Sequence, residues 1–149
     1  GFREEDFALL HPGGALGKKL LLTVEDLMHV KDAIPIVDEQ DSMKVTLIEM
    51  TSKRLGVTGV CNAEGELVGI ITDGDLRRAL ERTADILSTK AKEVMTASPK
   101  TIEKSALAAT AVRIMEKHSI TSLFVMNDPV SKKVAGIIHL HDILRSGVV

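Results

Sequence analysis

The 149-residue chain predicts an α+β fold made of tandem repeats, each β-α-β-β-α, packed about a pseudo-twofold axis. Three observations carry that prediction. Apolar residues make up 44% and charged residues 27%, the balance of a chain that builds a core rather than staying disordered. Short segments recur at a constant offset: Gly69-Ile70-Ile71 returns as Gly136-Ile137-Ile138 and Asp75-Leu76 as Asp142-Ile143, both 67 residues on. Met28 and Met95, and Arg78 and Arg145, share that offset, while Met50/Met115 and Val60/Val125 are 65 apart. Finally, the same succession of hydrophobic periods runs through both halves, and one half alone, at about 60 residues, would bury too little surface for comfortable stability.

The elements follow in order. Thr23-Val24-Glu25-Asp26 has capping-box spacing and starts a short helix that runs through Met28. A brief extended stretch follows Pro35. Met43, Leu47 and Met50, at i, i+4 and i+7, predict one face of a helix capped by Asp41 or Ser42. Val57–Cys61 reads as a strand, Asn62-Ala63-Glu64-Gly65 as a turn, and 67–71 as a buried strand. A second helix is expected from Asp73, carrying Leu76 and Leu80 inward. The second half repeats the pattern: a helix lined by Leu107, Ala111, Ile114 and Met115, strands at 123–126 and 134–138 around an Asn127-Asp128-Pro129 turn, and a closing helix at 142–146. The resulting division is 1–22 as a junction segment, 23–82 as repeat one, 83–89 as a connector and 90–149 as repeat two.

Composition excludes several function classes. Nineteen Lys and Arg stand against 21 Asp and Glu, which leaves no basic excess for a phosphate backbone, so nucleic acid is not an expected partner. Three Phe are the only aromatics, too few for a base-stacking platform. Lone Cys61 reads as a buried structural thiol in a reducing compartment. No apolar run approaches the roughly 20 residues of a membrane span, and no signal-peptide pattern opens the chain, so a cytoplasmic protein without membrane contact is expected.

Two repeats meeting at an axis leave crevices where strand ends and helix starts converge, a favoured place for small ligands. Thr72-Asp73-Gly74-Asp75 sits at such a helix start. Helix-terminal amides and the Thr72 hydroxyl can hold a phosphate, Asp75 can accept from ribose hydroxyls, and Gly74 admits a ligand close to the backbone. The same Thr-x-x-Asp spacing also makes a capping box that needs no ligand. The second copy reads His139-Leu140-His141-Asp142; its imidazoles can bond phosphate or carboxylate, or be solvated, and the spacing matches no metal pattern. Val57-Thr58 and Thr121-Ser122 before the middle strands, and the stretch from Thr96 to Thr101 after the second Met, can face these aspartates across each crevice or serve as ordinary turn residues. Arg77, beside Asp75, completes the ligand-binding candidates.

Paired units that each end in Gly-h-h-x-x-x-Asp before a helix resemble the CBS domain pair, or Bateman module. The segment Phe7-Ala8-Leu9-Leu10-His11-Pro12-Gly13-Gly14-Ala15-Leu16-Gly17-Lys18-Lys19-Leu20 resembles the junction of arabinose 5-phosphate isomerases, where a sugar-isomerase domain precedes the CBS pair. Ile71-Thr72-Asp73-Gly74-Asp75-Leu76-Arg77-Arg78 and the tail from His139 to Arg145 resemble the same family. The resemblance implies a regulatory CBS pair separated from its catalytic domain, hence no enzyme activity and no required cofactor in this stretch. His11 would contribute to the sugar-phosphate active site only in the parent. The implied parent interconverts ribulose 5-phosphate and arabinose 5-phosphate, upstream of Kdo and lipopolysaccharide. Its implied effector is CMP-Kdo, with AMP or ATP next, acting allosterically on its own isomerase domain. CBS pairs also associate through their helices, so a homo-oligomer, or a dimerisation module with no ligand at all, is the competing expectation.

Overall fold

A computed structural model describes residues 20–148. The His11-Pro12-Gly13-Gly14 segment lies outside the described residues. Among the described residues there are six helices and seven strands: α1 Val24–Leu27, β1 Ile36–Asp38, α2 Met43–Lys53, β2 Val57–Cys61, β3 Leu67–Thr72, α3 Asp73–Arg82, α4 Ala91–Val94, β4 Thr96–Ala97, β5 Thr101–Glu103, α5 Ala108–His118, β6 Ser122–Met126, β7 Val134–His139 and α6 Leu140–Ser146.

Each half contains the same three-stranded core. β1 runs parallel to β2, and β2 antiparallel to β3; β5, β6 and β7 repeat this, down to a register shift at Val60/Cys61 and again at Val125/Met126. Two αL residues, Arg54 and Ser119, end α2 and α5 and turn the chain into β2 and β6. Both sheets carry helices on one face and meet each other on the other. Val57, Leu67, Phe124, Met126 and Ile137 fill that seam. Gly59 and Phe124 are equivalent by the 65-residue offset and meet there: a Cβ on Gly59 would lie 3.0 Å from the Phe124 ring. One copy's missing side chain makes room for the other's aromatic ring.

The helix faces differ in detail from the periodicity. Met43, Thr46 and Met50 are the buried side of α2, and Ser42 is its N-cap, accepting from the Val45 amide at 3.3 Å. In α3 the inward positions are Asp75 and Ala79; Leu80 is 58% exposed, a correction to its expected core role. Leu107 caps α5 and is exposed, so Ala108, Ala111, Val112 and Met115 form its buried stripe.

The leading segments are exchanged between halves. Val24 of α1 belongs to the core of repeat two, with Ile102, Val112, Leu123 and Ile143, while Ala91 and Val94 of α4 lie in the core of repeat one with Met43, Val60 and Ile71. β4 accordingly pairs with β3, and His29 bridges to Ile137 of β7 through two backbone bonds of 2.8 and 3.0 Å. Gly69 and Gly136 explain the recurring Gly-Ile-Ile: a Cβ on Gly136 would lie 2.7 Å from the His29 carbonyl oxygen, and one on Gly69 would lie 2.9 Å from that of Thr96. Only a residue without a side chain lets the exchanged segment lie against the strand.

Candidate functional site

The exchange places one polar residue of each leading segment on the aspartate of the opposite half. Asp75 is 4% exposed, and its carboxylate is fully engaged. Oδ2 accepts from the Thr72 amide at 2.9 Å and the Thr72 hydroxyl at 3.1 Å; Oδ1 accepts from Arg78 at 2.7 Å and from the Thr96 hydroxyl at 2.6 Å. Burial pushes the Asp75 pKa up, but the bonds from Thr96, Thr72 and Arg78 outweigh it and hold the group below the ordinary carboxylate range. Asp142 repeats the arrangement with Arg145 at 2.7 Å and, in the place of Thr96, His29 Nε2 at 2.8 Å. Its pKa is lowered too: burial opposes ionisation, and His29 and Arg145 prevail.

A cleft of about 530 Å³ opens between the halves, bounded by the ends of α2 and α5, the start of α3 and the strap Ser98–Lys100. Its walls are Val57, Ile70, Ile120 and Phe124; around them stand Thr72, Thr96, Thr121 and Ser122, the first two with their hydroxyls bonded to Asp75. Four of the predicted residues, from three separate stretches of sequence, are therefore brought together. Gly74 also lines the cleft. Lys100 and His118 supply basic groups and Asp73 an acidic one. The sequence marks Lys100 only as part of the 96–101 stretch and does not mark His118. His118 was legible as a basic residue in the last turn of a helix, but Lys100 reaches the cleft only because β4 is exchanged.

The other predicted residues lie elsewhere. Thr58 is fully buried in β2 and donates to the Gly59 carbonyl at 3.1 Å, so it faces no crevice. Asp75 and Asp142 do not line the cleft, because each is turned back onto its own helix start, Arg and exchanged segment. Arg77 is exposed on α3 outside it. His139 and His141 sit at the start of α6, where the His139 ring accepts from the His141 amide at 3.1 Å. Burial lowers the His139 pKa; Asp142 opposes this, and His141 and His29 add to it. Another hollow, about 790 Å³, shares Ser98 and Pro99 with the cleft and is lined also by Thr101, the end of the 96–101 stretch. Among the described residues there is no cluster of His, Cys, Asp or Glu able to hold a metal, and no helix long and apolar enough to cross a membrane. Cys61 is buried, as expected of a structural thiol.

Two sheets built on the same three-stranded core, joined face to face with a cleft at the seam, define a paired-repeat module. The chain belongs to the CBS domain family, whose model matches residues 22–82 and 91–148. Among curated proteins it is 48% identical over 148 residues to the arabinose 5-phosphate isomerase KdsD of Pseudomonas aeruginosa strain PAO1, a match covering 99% of this chain and 45% of that protein. The chain thus spans less than half the length of that relative. Among solved structures it resembles CBSX2 in complex with AMP (TM-score 0.71, 21% identity, 85% of this chain and 96% of that one). It also resembles the CBS pair of MJ0100 in complex with 5′-methylthioadenosine and S-adenosyl-L-methionine (TM-score 0.71, 23% identity, 84% and 94%). At these identities the likeness is one of fold.

Proposed function

We propose that this chain is the regulatory part of a cytoplasmic arabinose 5-phosphate isomerase and binds a nucleotide or nucleotide-sugar in the Thr72–Thr121 cleft. Residues 1–22 then form the junction with the isomerase domain, 23–82 and 90–149 the two sensing repeats. The observation that carries the reading is the cleft itself: an apolar slot between Ile70 and Phe124, lined also by Thr121 and Ser122, with Lys100 and His118 at hand for anionic groups. The slot suits a base, the Thr121 and Ser122 hydroxyls a ribose or phosphate, and the two basic residues the acidic sugar of CMP-Kdo, the favoured effector. AMP or ATP comes next, in keeping with the nucleosides held by structural neighbours. An effector that binds one conformation better than another shifts the balance between them and so conveys its concentration to the isomerase domain.

The aspartates have a different part in this reading from the one expected of them. With both oxygens of Asp75 occupied, a ribose diol gains it only by displacing Thr96 or Arg78, so Asp75 shapes the cleft rather than gripping the ligand. Calorimetry and thermal-shift titration of the chain with CMP-Kdo, AMP and ATP test the proposal. Saturable heat with at least one of them, reduced tenfold or more by Thr121→Ala with Lys100→Ala, is the expected result; no heat from any of the three refutes it.

A purely structural dimerisation module is the second reading, favoured by Val45 and Ile48 of α2, 47% and 62% exposed and three residues apart on one face. It predicts a dimer in solution that Ile48→Lys dissociates, and no response to any nucleotide.

A further inference from the structure

The six methionines divide by exposure. Met43, Met50, Met115 and Met126 are buried, none more than 7% exposed. Met28 and Met95 are only partly buried, and they are the pair related by the 67-residue offset. Each closes the short helix of an exchanged leading segment, as the C-cap of α1 and of α4. Met28 packs against the core of repeat two and Met95 against that of repeat one. Each thioether lies over the glycine that admits the segment. A Cβ on Gly136 would stand 2.6 Å from Met28 Sδ, and one on Gly69 would run into Met95 Sδ in the same way. Met95 is also reached through a surface hollow of about 400 Å³, which it lines with Arg78, Glu81 and Glu93. The residue after each methionine carries the polar anchor of its segment, His29 on Asp142 and Thr96 on Asp75. Cys61, the other sulfur-bearing side chain, is buried.

We infer that Met28 and Met95 are twin oxidation sites, and that their conversion to the sulfoxide by a peroxide loosens the exchanged segments from the strands they cover. The thioether sulfur attacks one oxygen of hydrogen peroxide and the O–O bond breaks. Sulfur gives up two electrons and gains the S–O bond; the other oxygen takes up the remaining proton and leaves as water. Selectivity follows from access, because a peroxide must reach the sulfur and the four buried methionines deny it that. The effect follows from space. A sulfur packed this close to a glycine leaves no room for an oxygen on that side. The sulfoxide therefore crowds the strand or turns the side chain out and uncovers the glycine, and in both cases a polar group replaces apolar packing. The anchors next in sequence then lose the backing that holds them in place.

Treating the chain with hydrogen peroxide, then mapping its peptides by mass spectrometry and recording a thermal scan, tests the inference. The expected outcome is one added oxygen at Met28 and one at Met95, each gained about tenfold or more faster than at the buried four. The melting temperature should fall by about 5 °C or more, and methionine sulfoxide reductases of both stereospecificities should restore it. Met28→Leu/Met95→Leu, a volume-conserving change, should keep its midpoint under the same treatment. Should that variant fail to fold, the reductase arm still decides: recovery upholds the inference and a permanent loss overturns it. Equal oxidation of all six methionines overturns it, as does oxidation of the pair with an unchanged midpoint. An equal fall in the leucine variant overturns it too, because the damage then lies elsewhere.

Discussion

Gly136→Ala probes the strand exchange directly. An added Cβ would stand 2.6 Å from Met28 Sδ, a side-chain atom that can swing aside, and 2.7 Å from the His29 carbonyl oxygen, a backbone atom that cannot. The protein has two responses. It can hold the leading segment in place and carry the overlap, at the 1–3 kcal/mol typical of overpacking. Or the segment can retreat, giving up two backbone hydrogen bonds between His29 and Ile137 at about 1 kcal/mol each, together with the His29–Asp142 contact. The cheaper route costs about 2 kcal/mol, which for a chain of this length lowers the melting temperature by about 6 °C. Urea unfolding followed by circular dichroism measures the free energy, and a thermal scan gives the midpoint. Gly74→Ala is the control: its Cβ has room, and alanine in a helix is neutral or up to about 1 kcal/mol stabilising. A Gly136→Ala loss below about 0.5 kcal/mol would refute the claim that this glycine exists to admit the exchanged segment.

Asp75→Asn should destabilise by about 1–3 kcal/mol at pH 7, because charge-assisted bonds to Arg78, Thr72 and Thr96 become neutral ones or are lost. The folded pKa lies below the unfolded one, so this contribution is complete above the unfolded carboxylate range and vanishes as pH falls through the folded value; urea midpoints of variant and parent should converge there, and a constant gap would refute it. Phe124→Ala should cost about 3–5 kcal/mol by emptying the space over Gly59, checked by the same urea titration. Cys61 is buried, and burial first, then the charge of Asp38, raises its thiol pKa against the opposing pull of Lys133; at pH 8 a thiol reagent should react far more slowly with the native chain than with the urea-unfolded one, and equal rates would refute the placement.

Much of this fold is legible in the sequence because its signals are local. Alternation and turn residues mark β2–β3 and β6–β7 to within a residue, and Ser42 is recognisable as a cap. The repeat offset then makes each half a check on the other. What sequence could not show is partnership across the halves. Nothing in Met95-Thr96 says that it pairs with β3 of the preceding repeat, or in Met28-His29 that it pairs with β7 of the following one; both depend on glycines more than a dozen residues away. The same gap explains the site. Thr72 and Gly74 at a helix start, and Thr121 and Ser122 at a strand entry, carry enough local chemistry to be chosen, and they do face the cleft. Asp75 carries that chemistry too, but its occupancy by Thr96 is set by tertiary pairing, and so is the arrival of Lys100 at the cleft. Leu80 fails for a simpler reason: α3 turns Asp75 and Ala79 inward to serve the carboxylate network, and that rotation leaves Leu80 outside.

The crossed leading segments also fix how mechanical load travels. A pull on the chain ahead of α1 reaches His29 and Val24, which are anchored in β7 and in the far core, before it reaches anything in the half to which they belong by sequence. Torque or tension delivered from upstream therefore enters the molecule at its sequence-distant end. The near half feels it second-hand, through the sheet-to-sheet seam where the Phe124 ring rests over Gly59.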